Sequence, residues 1–98
     1  MESILANQQS GIIEQLSRKL VFTMLKSLQD CGITIEERSQ HYFFGDRQAP
    51  LQAKVKVNDS RVYARLLSGG SVGYAESYVE GDWETPDLTS VIRVFARN

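Results

Sequence analysis

Apolar residues recur every four positions near the start of the chain, a spacing that predicts one long amphipathic helix. The row and its apolar neighbours are Ile12, Leu16, Leu20, Met24 and Leu28, with Ile13, Val21 and Leu25 beside them. So wide a stripe is typical of a helix packed on a core, and we expect this helix to be the main core-forming element. Gly32 is the expected end of the helix, since glycine adopts the left-handed C-cap conformation without a steric penalty. Residues 1–10 are polar and without a clear period, so we expect them to fray.

Strand-forming runs follow this helix. Residues 33–38 and 40–44 are separated by a short polar turn, which predicts a β-hairpin. Residues 45–50 then predict a loop, where Pro50 fits better than in a strand interior. Apolar and polar residues alternate strictly from 51 to 57, which predicts a third strand. Lys54 and Lys56 would lie on its outward face, toward water or lipid head groups.

Glycines and capping residues divide the second half of the chain. Asn58-Asp59-Ser60 provides an N-cap for a short helix that ends at Gly69-Gly70, and a second short helix would run from Ser71 to Glu80. After a short strand over 82–84, Thr85-Pro86-Asp87 is the start signal for a last helix. The residues expected to be inward in these helices are Val62, Tyr63 and Leu66, then Leu88, Val91, Ile92 and Phe95.

The order of these elements is helix, three strands, two short helices, a short strand and a helix. It predicts an α+β fold, in which a small antiparallel sheet of about four to five strands has helices packed on one face. With 98 residues the chain makes one domain. Its composition, 42% hydrophobic and 23% charged, is ordinary for a globular protein.

Charge limits the classes of partner that we expect, and cysteine content indicates the redox compartment. The net charge of −1 gives no overall attraction to nucleic acid or to an anionic membrane, and no nucleic-acid partner is expected. Basic residues dominate positions 47–65 and acidic residues positions 76–87, which indicates either two solvated faces or a basic patch for lipid head groups. The single Cys31 excludes an intramolecular disulfide and fits a reducing compartment. Without a signal-peptide pattern or a membrane-spanning apolar run, we expect a cytoplasmic protein whose membrane contact is peripheral.

Catalytic and metal-binding patterns are weak. The acidic residues near positions 76–84 have no accompanying histidine and lack the order of a calcium loop, so we expect no metal. His41 is the single histidine and precedes an aromatic run on a strand, where a structural role is ordinary. The Gly69–Gly73 glycines lack the lysine and the preceding strand of a phosphate-binding loop. We therefore expect no catalytic residue and no cofactor site in this chain.

Residues 70–88 are the most distinctive segment, with three aromatic residues, three glycines and five carboxylates in nineteen positions. Tyr74 and Tyr78 lie one helical turn apart, and Trp83 follows Gly81. Their apolar rings with polar tips suit the mouth of an acyl-chain pocket or a membrane interface. The alternative interpretation is a small aromatic core cluster under the last helix.

The pattern G-x-x-G-x-A-E-S-Y-x-x-G-x-W, read from Gly70 to Trp83, is followed by Asp87-Leu88 and an Ala-Arg-Asn ending. It resembles the N-terminal domain of cyclopropane-fatty-acyl-phospholipid synthases, which are S-adenosylmethionine-dependent enzymes that methylenate double bonds in membrane lipids. The resemblance covers roughly residues 30–98 and is most specific over 69–98. Val79-Glu80 departs from the family's frequent longer apolar residue and aspartate. The order of elements is more weakly similar to the lipid-binding fold of sterol carrier proteins.

This resemblance implies a non-catalytic N-terminal accessory domain, with a methyltransferase domain after residue 98 that would bind S-adenosylmethionine. The implied partners are phospholipid or a membrane surface, the chain's own methyltransferase domain, and a second copy in a homodimer. The candidate lipid- or partner-binding residues are Val72, Tyr74, Tyr78, Trp83, Lys54 and Lys56. The alternatives are a docking module for the methyltransferase domain or a dimer partner, and a stand-alone lipid carrier, which requires a closed apolar cavity.

Overall fold

A computed structural model describes the backbone of residues 2–97 and the side chains of residues 11–97. The backbone of residues 2–10 is helical and belongs to the first helix, and the expected fraying of this segment stays a prediction. The elements, in chain order, are α1 (Glu2–Leu25), β1 (Gly32–Glu37), β2 (Gln40–Gly45), β3 (Gln52–Val57), α2 (Arg61–Val79), β4 (Trp83–Glu84) and α3 (Leu88–Ala96). The α+β class, the four strands and the helical layer on the sheet are confirmed. None of the described helices has the length and apolarity needed to cross a membrane.

The strands lie in the order β2-β1-β3-β4. β1 and β2 form the predicted antiparallel hairpin, whereas β1 and β3 pair in parallel, so the sheet is mixed. The parallel pair arises because residues 46–51 pass beneath the start of β1. The Asp46 N–H donates to the Cys31 carbonyl, and the Gly32 N–H donates to the Leu51 carbonyl, each at 3.0 Å. A side chain at Gly45 would collide with the Cys31 carbonyl, since its Cβ would lie only 2.3 Å from that oxygen.

One face of the sheet carries the hydrophobic core and the other faces outward. Alternation along β3 buries Ala53 and Val55 and exposes Gln52, Lys54 and Lys56, as the pattern predicts. The helices cover the first face and supply the rest of the core. The most deeply buried apolar residues, each at most 4% exposed, are Val21, Leu25, Cys31, Ile33, Ile35, Tyr63, Trp83, Val91 and Val94.

The orientation of α1 differs from the expected one. Its buried side is formed by Ser17, Val21 and Leu25, while the row expected to build the core is 56–58% exposed: Ile12, Ile13, Leu16, Leu20 and Met24. α1 carries apolar residues on two faces, and only the Val21 face meets the sheet. The prediction that the four-residue row forms the core is therefore wrong, apart from Leu28, which is buried just beyond the helix.

α1 also ends earlier than predicted. The helix stops at Leu25, and residues 26–31 form a turn in which Asp30 has a left-handed φ of 63°. This turn reverses the chain so that β1 can begin at Gly32, which is therefore a strand residue and not the helix cap. A side chain at Gly32 would collide with Gln52 and Phe43, whose nearest atoms would lie 2.5 and 2.8 Å from its Cβ.

The later helices follow their predicted signals. α2 is bent at Gly70, whose φ of 55° and ψ of −134° are not helical, so the prediction of two helices that meet at the glycines is confirmed. α3 begins after Asp87, whose carboxylate accepts hydrogen bonds from the Ser90 N–H at 3.3 Å and the Ser90 hydroxyl at 2.7 Å. Within α3, Val94 occupies the core position expected for Ile92, which is 47% exposed.

Candidate functional site

The glycines of the segment 70–83 build a tight corner between α2 and β4. Gly70 supplies the bend in α2, and Gly81 has a φ of +84° in the turn before β4. Gly73 is buried where the two halves of the bent helix meet, and a Cβ there would lie 2.0 Å from the Arg65 carbonyl oxygen. These three positions require glycine for reasons of backbone geometry.

Ser77 and Asp82 lock this corner from inside. The Ser77 hydroxyl donates to Asp82 Oδ2 at 2.6 Å, and the two residues are 0% and 2% exposed. The Arg61 guanidinium donates to Asp82 Oδ1 at 3.0 Å and that of Arg65 to Oδ2 at 3.2 Å. Burial disfavours the ionised carboxyl, but the hydrogen bonds from Ser77 and Arg65 and the charge of Arg61 outweigh it, so the pKa of Asp82 lies below its usual value.

The Asp82 backbone ties the same corner to the start of α2. Its carbonyl accepts from the Asn58 N–H at 2.8 Å and the Asp59 N–H at 2.9 Å, and its own N–H donates to the Ser77 carbonyl at 2.9 Å. Every polar group of Asp82 is therefore used within the fold. The acidic residue that is most buried in the distinctive segment is a structural centre.

The aromatic residues of the segment form a cluster beneath α3. Trp83 is 2% exposed, and its indole N–H donates to the Tyr74 carbonyl at 2.9 Å. Its ring centroid lies 4.9 Å from that of Tyr78 and 6.0 Å from that of Tyr74, which in turn lies 5.2 Å from Phe95. This arrangement matches the core-cluster interpretation of the three aromatic residues. Trp83 is the buried member, whereas Tyr74 is half-buried and Tyr78 is 36% exposed.

The six candidate binding residues lie on different surfaces. Trp83 points into the core beside Tyr74, Val72 is 66% exposed on α2, and the two lysines lie on the outward face of the sheet. Lys54 is 3.8 Å from a Glu36 oxygen and Lys56 is 4.0 Å from a Glu84 oxygen. The structure thus brings the aromatic residues together but separates them from the lysines.

Exposed apolar side chains are concentrated on the helices. Among residues 11–97, the large hydrophobic residues that are at least 36% exposed all lie on helices: Ile12, Ile13, Leu16, Leu20 and Met24 on α1, Leu67, Val72, Tyr78 and Val79 on α2, and Ile92 on α3. Five of them form the α1 row, defined as Ile12, Ile13, Leu16, Leu20 and Met24, which extends over about 18 Å of helix. Sequence reasoning missed this surface because it assigned the same residues to the core. The signal that could have found it is the second apolar face through Val21 and Leu25.

A polar cluster joins α1 to the sheet and α2. The Arg18 guanidinium donates to the Glu37 carboxylate at 2.8 and 3.0 Å and stacks over the Phe22 ring at 4.2 Å from its centroid. The Tyr63 hydroxyl donates to the same carboxylate. Burial disfavours the charge on Glu37, but the hydrogen bonds from Arg18 and Tyr63 hold its pKa below the usual value, and burial together with the bond to Glu37 raises the pKa of Tyr63.

The apolar space between the helices and the sheet is small. It has a volume of about 40 Å³ and is lined by core side chains that include Val55, Leu66 and Phe95. Small-molecule pockets have volumes of about 300–1,000 Å³. This cavity therefore has no room for an acyl chain, which disfavours the stand-alone lipid carrier.

Nucleophilic and metal-ligating side chains do not converge in the part of the chain that the structure describes. Cys31 is fully buried, while the His41 ring is exposed on the sheet and lies 3.1 Å from a Glu36 oxygen. No group of three or more His, Cys, Asp or Glu side chains in this part is arranged to hold a metal ion.

No protein-family model, no curated protein and no solved structure matches this chain. The resemblance of residues 30–98 to the N-terminal domain of cyclopropane-fatty-acyl-phospholipid synthases therefore stays a prediction from the sequence.

Proposed function

We propose that this chain is a non-catalytic accessory domain that engages a lipid surface, of the kind found at the N-terminus of cyclopropane-fatty-acyl-phospholipid synthases. The observation that carries the proposal is the α1 row, whose five apolar side chains are 56–58% exposed. Scattered exposed apolar residues are ordinary, whereas a contiguous apolar surface is typical of a membrane or protein contact. A peripheral contact with the cytoplasmic face of a membrane would cover this surface.

The chemistry of such an enzyme would belong to a separate domain. A methyltransferase domain that binds S-adenosylmethionine would transfer the methylene group to unsaturated acyl chains, and the present domain would hold that domain at the membrane. This division is supported by Ser77 and Asp82 of the segment 70–88, because their side chains form hydrogen bonds within the fold and are not available for chemistry. No catalytic step is assigned to residues of this chain.

Vesicle co-sedimentation tests the proposal. The folded 98-residue chain is mixed with vesicles of unsaturated phosphatidylglycerol and phosphatidylcholine, and the bound fraction is measured at low and high salt. We expect saturable binding. A folded chain that stays in the supernatant with every vesicle composition would refute the lipid role. Emission from the single tryptophan, Trp83, serves here as a folding control, since the side chain is buried and would not report insertion.

A second candidate function is protein docking, and a distinct surface favours it. The second half of α2 exposes Val72 by 66% and Val79 by 83%, next to a shallow groove that Ala75 also lines. The methyltransferase domain or a second copy of the chain would cover this spot. Replacement of both valines by glutamine would weaken that association and leave vesicle binding unchanged.

A further inference from the structure

We infer that α1 is the element that contacts the membrane, lying parallel to an anionic bilayer with its apolar row among the acyl chains and Lys19 and Lys26 at the lipid phosphates. The inference rests on the proposed lipid role and adds two things to it. It names the contacting element, and it states that the surface selects negatively charged lipids.

The geometry of α1 fits an interfacial helix. The α1 row occupies one continuous strip, because positions 12, 16, 20 and 24 follow one another at about one turn and position 13 lies beside them. Their exposed fractions are nearly equal, from 56% to 58%, so the strip is uniformly accessible. A helix of this kind lies in the plane of the membrane interface with its apolar side buried to about 5–10 Å.

The free charges beside the row are positive. Lys19 lies on α1, and Lys26 is the first residue after its end, where the Lys26 N–H still donates to the Phe22 carbonyl at 3.1 Å and so continues the last helical turn. Both side chains are exposed and lie on the same edge of the row. Neither ammonium group has a carboxylate within ion-pair distance among residues 11–97. The other charged groups on this part of α1 are occupied inside the fold, since Arg18 binds Glu37 and the Glu14 carboxylate accepts from the Ser60 hydroxyl. An anionic lipid surface complements such an edge, at about one kcal/mol per lysine.

The other exposed surfaces are less suited to anionic lipid. The exposed valines on α2 lie among Glu76 and Glu80, two carboxylates that share the one cation Arg65, so this spot offers no excess positive charge to anionic lipid. The outward lysines on the sheet have glutamates beside them and lack apolar neighbours of the same exposure. A second copy packed antiparallel on the α1 row would place the two lysine edges along a shared boundary, where equal charges oppose association. Charge therefore favours lipid as the occupant of the row.

Three paired substitutions test the inference by vesicle co-sedimentation. The first variant is Leu16→Gln/Leu20→Gln. Both leucines are 57% exposed and glutamine is a good helix former, so this variant should retain the fold. We expect about thirtyfold weaker partitioning, because the variant loses about half of the apolar burial available to each leucine. Lys19→Gln/Lys26→Gln should bind vesicles that contain phosphatidylglycerol about thirtyfold more weakly and pure phosphatidylcholine as before. Val72→Gln/Val79→Gln is the matched control and should bind like the native chain.

The outcomes separate this inference from the proposed function. If the native chain binds vesicles and the leucine variant binds equally well, α1 is not the contact, while the lipid role stands. If the native chain binds no vesicle, both proposals fail. Sedimentation velocity adds one further refuting result: a dimer that the leucine variant dissociates, without vesicle binding, would make the row an interface between copies.

Discussion

Because Gly73 is closely packed and Gly69 is not, we expect replacement by alanine to lower the stability of the fold at Gly73 and not at Gly69. A Cβ at Gly73 would lie 2.0 Å from the Arg65 carbonyl oxygen and 2.9 Å from its carbon, and both atoms belong to the backbone. No rotamer change can relieve such a contact, so the two halves of α2 must move apart. Overpacking of this kind costs about 1–3 kcal/mol, and we place Gly73→Ala at the upper end of that range.

Helix propensity offsets part of that cost. Alanine gains about 1 kcal/mol over glycine in a helix, so the net destabilisation expected for Gly73→Ala is about 2 kcal/mol, or roughly 10 °C in Tm. Gly69 is the matched control, because it lies in the same helix and nothing is within 4 Å of its Cβ position. We expect Gly69→Ala to leave stability unchanged or raise it by about 1 kcal/mol.

Urea unfolding followed by Trp83 fluorescence measures both variants. Trp83 is the single tryptophan and is packed in the same corner, so its emission changes when the corner opens. A Gly73→Ala variant as stable as the native chain would refute the packing argument. So would an equal loss at both glycines, since it would indicate a general demand for backbone freedom near the bend.

Three further substitutions test the polar clusters and α1. Ser77→Ala should cost about 1–3 kcal/mol, because it removes a donor from the buried Asp82. The folded pKa of Asp82 is lowered, so its contribution is present above about pH 4 and is lost as the pH falls through the folded pKa; urea unfolding across pH should find the Ser77→Ala deficit shrinking in acid, and a constant deficit would contradict this. Glu37→Gln should cost about 1–3 kcal/mol by weakening the contact with Arg18, and an unchanged Tm would show that the contact contributes nothing. Gly11→Ala should raise the Tm, since nothing lies within 4 Å of that helical position and alanine gains about 1 kcal/mol; a lower Tm would mean that the site is not an open helical one.

Local signals predicted most of the secondary structure. Strict alternation located β3, the polar turn located the hairpin, and the Gly69-Gly70 pair located the bend in α2. Asp87 was also correctly identified as the start of α3, where its carboxylate accepts from Ser90. In each case the residue that determines the element lies within a few positions of it, so the sequence alone contains the needed information.

The sequence pattern did not predict how the elements pack against one another. α1 has two apolar faces, and the choice of the Val21 face over the Leu16 face depends on the sheet, which forms from residues later in the chain. The parallel pairing of β1 and β3 likewise depends on a loop that passes beneath Gly32. The burial of Trp83 depends on its contacts with Tyr74 and Tyr78, across the corner between α2 and β4. Each of these outcomes is decided by contacts between elements, which periodicity does not encode.

The residues that carry the family resemblance are the residues that hold the α2–β4 corner together. Gly73 permits the helix halves to pack, Ser77 and Asp82 bond inside the corner, and Trp83 fills it. A motif whose residues are used in this way predicts a local fold and does not identify a binding surface. Truncation of Trp83 would damage folding and every function that depends on it, so loss of activity in that variant would say nothing about lipid. Exposed positions such as Leu16 can change without loss of packing, and for that reason the α1 row is where a functional test can separate binding from stability.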